Sequence, residues 1–87
     1  MTEDTIHPFD AELLQLISDL EVRLHPQVTE EAKDLLKHGE YTVCLETIIR
    51  ALRSKGSPVP ADIFNRIIEY SADVNLKEDA YKGLRSE

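Results

Sequence analysis

Leu35-Leu36-Lys37-His38-Gly39-Glu40-Tyr41-Thr42-Val43-Cys44-Leu45-Glu46-Thr47-Ile48-Ile49-Arg50-Ala51-Leu52 decides the fold of this chain. The stretch reads as the end of one helix, a sharp turn and a second helix folded back on the first. Gly39 falls where a helix terminus needs positive φ, a region that glycine enters without steric cost. Beyond it Tyr41, Leu45, Ile48 and Leu52 recur at helical spacing, with Cys44 and Ala51 beside them. A connection this short makes the two helices antiparallel neighbours.

Working outward, the same periodicity recurs on both sides. Pro8 and Asp10 suit the opening of a first helix, and Leu13, Ile17, Leu20 and Leu24 form its apolar stripe, flanked by Leu14 and Leu16. Its outer face presents Ala11, Gln15, Ser18 and Val22, bordered by Glu12 and Asp19. Pro26 disfavours the α conformation at His25 and ends that helix. Thr29 reads as the N-cap of a second helix, with Glu30 and Glu31 in its first turn and Ala32, Leu35 and Leu36 facing inward. After the hairpin, Ser54 to Pro60 is a loop rich in glycine and proline. Ile63, Phe64, Ile67, Ile68, Tyr70 and Ser71 then cover the wide arc of a helix packed between others. Asn75 with Glu78 resembles a capping box, which opens a short fifth helix anchored by Tyr81 and Leu84. Gly83 weakens its end, and Arg85-Ser86-Glu87 is expected to fray. The expectation is an all-α fold, a single-domain bundle of four to five helices at about 9–24, 29–38, 41–53, 60–73 and 76–84, with 1–7 as a loose tail pinned by Ile6. No stretch alternates long enough for a strand.

At 87 residues the chain reads as one domain across residues 1–87. A chain of this size buries only roughly 60–65% of its unfolded surface, so it has one core. No apolar run approaches the roughly 18 residues of a membrane span, and the acidic start Met1-Thr2-Glu3-Asp4 is unlike a secretory signal. A single cysteine fits a reducing compartment, and the expected location is the cytoplasm. The net charge is −7, and all of it belongs to residues 1–40, since residues 41–87 hold seven acids and seven bases. Such a field repels phosphate backbones and favours basic partners, although acidity also serves solubility alone.

Chemistry is hard to find. Cys44 lies on the buried side of its helix, where a thiol behaves as a small hydrophobe. His7, His25 and His38 pair with no other ligand at metal spacing, so no metal and no cofactor are expected. Glu30–Glu31 and Glu78–Asp79 read as solvated helix starts rather than acid–base pairs. The sequence contains no phosphate loop, dinucleotide-binding glycine pattern or nucleophile elbow. A helix-turn-helix reader of DNA would carry its contacts at the amino end of the second helix, whereas Arg50 and Arg53 lie at the carboxyl end. The expectation is no catalytic residue, no nucleic acid, no membrane and no enzyme.

The segment Leu35 to Glu46 resembles the MafI family of immunity proteins of bacterial polymorphic toxin and contact-dependent inhibition systems. In that family a similar helix end is followed by Gly-Glu-Tyr or a close variant, an apolar residue, and a Leu-Glu pair entering an apolar helix. Ile63-Phe64-Asn65-Arg66-Ile67-Ile68-Glu69-Tyr70 and the return at Leu76 are similar too, so the likeness spans about residues 10–84. Cys44 stands where alanine is more usual, and the Pro58-Val59-Pro60 loop is this chain's own. What the resemblance implies is a cytoplasmic toxin inhibitor, a monomer or dimer bound to one cognate toxin domain. Toxins of such systems include basic nucleases, among them RNases of the EndoU type. An acidic helical surface suits a basic substrate channel. The partner-binding residues expected on that ground are Glu12, Asp19, Val22, Glu30, Glu31 and Asp34, with Val22 as an apolar anchor. The competing reading is a generic acidic interaction or regulatory module, which would bind more weakly and less selectively.

Overall fold

The computed structural model describes residues 8–56 and 58–87, so the expected tail and the Ile6 pin lie outside the described residues. The fold is all-α, and the described residues form five helices in the order α1 (Pro8–Asp19), α2 (Pro26–Lys37), α3 (Tyr41–Lys55), α4 (Ala61–Asp73) and α5 (Glu78–Tyr81). α3 is the central element and packs against α2, α4 and α5, while α1 packs on α2. Cys44, Leu45, Ile48, Ile49 and Leu52 of α3 meet Leu13, Leu16 and Ile17 of α1, Ala32 and Leu36 of α2, and Ile63, Ile67 and Tyr70 of α4 in one buried cluster. Phe9 closes one end, its ring edge-on to Tyr41 at 5.5 Å and to Tyr70 at 5.6 Å, an arrangement that the ring quadrupoles favour.

The hairpin follows the sequence expectation closely. Gly39 has φ +73°. Its N–H donates to the Leu36 carbonyl at 3.1 Å, and the Glu40 N–H reaches back to Leu35 at 2.9 Å. These are the two bonds of a Schellman termination, and they satisfy carbonyls that a bare helix end would leave orphaned. The same device ends α4, this time with Asn75 at φ +62°. Asn75 donates to Ala72 at 3.3 Å and Leu76 to Ser71 at 2.8 Å. Asn75 is therefore the terminator of α4 rather than the cap of a fifth helix. α5 starts later, at Glu78, and lasts a single turn.

The α1–α2 connection departs most from expectation. α1 stops at Asp19, short of residue 24. The Leu20 N–H is shared between Leu16 and Ile17, and Glu21 and Arg23 bond three residues back, to Ser18 and Leu20. This tightening buries both Leu20 and Leu24 while turning Val22 out, 92% exposed. The reason lies downstream. Pro26 opens α2 as its first-turn residue, and His25 precedes it in extended conformation with ψ 141°, as the residue before proline must. The His25 Nδ1 accepts the Gln27 N–H at 3.1 Å and caps the helix. Thr29, expected as the cap, is instead buried one turn inside α2, with its hydroxyl 3.3 Å from the His25 carbonyl. Glu30 and Glu31 thus lie in the second turn, and the first turn carries no acid.

The chain end is also more ordered than expected. Arg85 to Glu87 pairs with the proline loop, the Val59 N–H donating to Arg85 and the Glu87 N–H to Val59, each at 2.8 Å. The Arg85 guanidinium adds a bond to the Gly56 carbonyl at 3.2 Å. Pro58-Val59-Pro60 thereby gains a structural role: Val59 is buried at 1% exposure and Leu84 at 8% beneath the clasp. Among the described residues this parallel bridge is the only β pairing.

Candidate protein-binding surface

Carboxylates dominate the first two helices, and helix geometry decides where each one goes. Glu30, Glu31 and Asp34 lie on the outer side of α2, opposite the buried Ala32 and Leu36, and all three are exposed. With Lys33 and Lys37 they line one shallow groove. Lys33 is drawn off by Glu21, 3.5 Å from its carboxylate. Asp34 approaches the His38 ring at 4.0 Å, and the same ring nitrogen lies 2.8 Å from the Asp34 carbonyl. Glu30 and Glu31 have no ion-pair partner among the described residues.

The other three expected contact residues do not join them. Glu12 is exposed on α1. Asp19, two turns on, binds within the molecule: Arg66 of α4 donates to its Oδ2 at 2.7 Å and Gln15 to its Oδ1 at 2.9 Å. The Arg66 and Gln15 hydrogen bonds hold its carboxyl below the usual carboxylate range. Val22 is not on the α1 face at all, because α1 has ended. It stands at the mouth of a cleft between the α1–α2 connection and the carboxyl end of α3. The expected single patch is thus four places: the α2 groove, Glu12 on the exposed side of α1, the α1–α4 ion pair and the cleft.

The cleft has no signature in the sequence. Arg23 and Lys55 meet there although 32 residues apart, the Lys55 ammonium donating to the Arg23 carbonyl. No spacing rule links a turn residue to the last residue of a distant helix, so only the fold brings the pair into view.

Reactive groups are scarce. The Cys44 Sγ donates to the Ala32 carbonyl at 3.3 Å, and burial pushes its thiol up to about 11, far from the lowered range of nucleophilic cysteines. The Asp10 carboxylate beside the Tyr41 hydroxyl raises that phenol, a pairing at the α1–α3 edge. Among the described residues no group of histidine, cysteine and carboxylate side chains could hold a metal ion. His25 is a helix cap and His38 the residue before the Gly39 turn; His7 lies outside the described residues. Among the described residues no helix is long and apolar enough to cross a membrane. Comparison with known protein families, with curated proteins and with solved structures finds no match to this chain.

Proposed function

We propose that this chain is an immunity protein, acting in the cytoplasm by binding and neutralising a cognate toxin domain, a basic nuclease such as an EndoU-type RNase. The observation that carries the reading is the α2 groove: three exposed carboxylates on one regular helix, two of them without an ion-pair partner among the described residues. A nuclease must present cations to its phosphate substrate, and a row of carboxylates on one helix competes for the same cations. The resemblance of Leu35 to Glu46 to MafI proteins supports the same reading, because that segment builds the hairpin that holds α2 in place. The buried, unactivated Cys44 accords with action by binding rather than by catalysis.

The test is growth rescue. The carboxyl-terminal domain of the large protein encoded immediately upstream is induced in cells with and without this chain. Survival only with the chain present is the expected result. Toxicity that the chain leaves unchanged would overturn the immunity role.

A further inference from the structure

The cleft at the α1–α2 connection has the opposite character to the α2 groove. It holds about 480 Å³, within the ~300–1,000 Å³ typical of ligand sites. Val22, Val28 and Ala51 supply apolar wall, and Arg23, His25 and Lys55 supply charge and donors. In a protein of net charge −7, no carboxylate among the described residues lines it. Neither the Arg23 guanidinium nor the Lys55 ammonium has a carboxylate partner among the described residues. Lys55 spends one donor on the Arg23 carbonyl and retains two. His25 accepts the Gln27 N–H on Nδ1, which places the proton of the neutral ring on Nε2 as a further donor. Apart from the Ser54 hydroxyl, the side-chain polar atoms of the described lining that remain unengaged are donors.

We propose that this cleft binds an acidic polypeptide segment, its carboxylates meeting Arg23 and Lys55 and one aliphatic side chain covering Val22, Val28 and Ala51. A rim dominated by donors requires acceptors from the ligand, and the apolar wall requires a side chain that leaves water. A nucleic acid satisfies the rim but not the wall. Apart from the His25 imidazole, the lining offers no aromatic ring among the described residues for a base to stack on. A peptide brings its few carboxylates next to its own apolar anchor and meets both demands. The cleft shares no lining residue with the α2 groove, so this site stands whether or not the immunity role does.

The probe is a library of random dodecapeptides displayed on phage and panned on the intact chain. Enrichment of peptides in which Leu, Ile or Met is flanked by Asp or Glu is the expected result. A synthetic copy of the leading peptide should lose affinity by about tenfold or more in Arg23→Glu/Lys55→Glu and at raised salt. Because Lys55 also tethers the connection, Val22→Asp serves as the second variant; its side chain is 92% exposed, so the fold does not depend on it, and it should weaken the peptide as strongly. Enrichment of non-acidic peptides, or no enrichment, would overturn the proposal. Unchanged binding in both variants would do the same. A dimer in sedimentation that Val22→Asp dissolves would give the cleft to a second copy of the chain and likewise overturn it.

Discussion

The two sides of α2 make an instructive contrast. Its outer groove is negative, regular and built from one helix, Glu30, Glu31 and Asp34 being carried by a fixed repeat. The cleft at its amino end is positive, irregular and assembled from three segments: the 20–24 turn, the start of α2 and the end of α3. The groove depends on the Gly39 termination that joins α2 to α3. The cleft depends on Pro26, the His25 cap and the bond from Lys55 to the Arg23 carbonyl. A surface on a helix inherits its order from backbone hydrogen bonds, whereas a surface at a junction inherits it from a few side chains. The two should therefore fail differently.

The largest effect is expected at the groove. Reversing Glu30, Glu31 and Asp34 to lysine should weaken binding of a basic toxin domain on the order of 100-fold, about 2.7 kcal/mol. Titration calorimetry checks this, and the stability of the free chain should hardly change, because all three side chains are exposed. An equal loss from Arg23→Glu/Lys55→Glu would erase the contrast between the two sides.

Next in size is the groove's anchorage. Gly39→Val should lower stability by about 1–2 kcal/mol through left-handed strain alone, since an added Cβ at Gly39 meets nothing within 4 Å. For a domain this size each kcal/mol shifts Tm by roughly 4–8 °C. A melt that matches the parent would contradict the Schellman geometry. At the cleft, His25→Ala should cost about 1 kcal/mol by removing the cap, and His25→Asn should restore most of it. Equal melts for alanine and asparagine would mean that the cap contributes nothing.

The smallest effect concerns the ion pair between α1 and α4. Asp19 has a lowered pKa in the folded chain, so its contribution is present above the ordinary carboxylate value of about 3.9 and is lost as pH falls through the lower folded value. The pair is partly exposed and correspondingly weak. Urea unfolding of Asp19→Asn should show a shallower loss of stability in acid than the parent. Parallel acid limbs would remove Asp19 from the account.

The contrast also explains what the sequence could disclose. Gly39 was legible because glycine at the end of an apolar repeat has one common use. Asn75 makes the same turn at φ +62°, yet asparagine also caps helix starts, and the Glu78 that follows favours that misreading. Thr29 and Pro26 present a similar choice: both suit the start of a helix, and the extended His25, capping through its ring, gives the position to Pro26. Glu30, Glu31 and Asp34 were readable as exposed from periodicity. Val22 leaves the α1 face because the tight bonds from Glu21 and Arg23 end α1 before it, and such tightening has no mark in side-chain pattern. Arg23 with Lys55, Asp19 with Arg66, and Val59 with Arg85 and Glu87 all join distant segments. Pairings of that kind emerge only once the helices are packed.

The most direct test places three versions of the chain beside the upstream-encoded domain in the growth-rescue assay: the parent, Glu30→Lys/Glu31→Lys/Asp34→Lys, and Arg23→Glu/Lys55→Glu. The account predicts survival with the parent and with the cleft variant, and death with the groove variant. Full survival with the groove variant, at equal protein levels, would contradict the assignment of toxin binding to the outer face of α2.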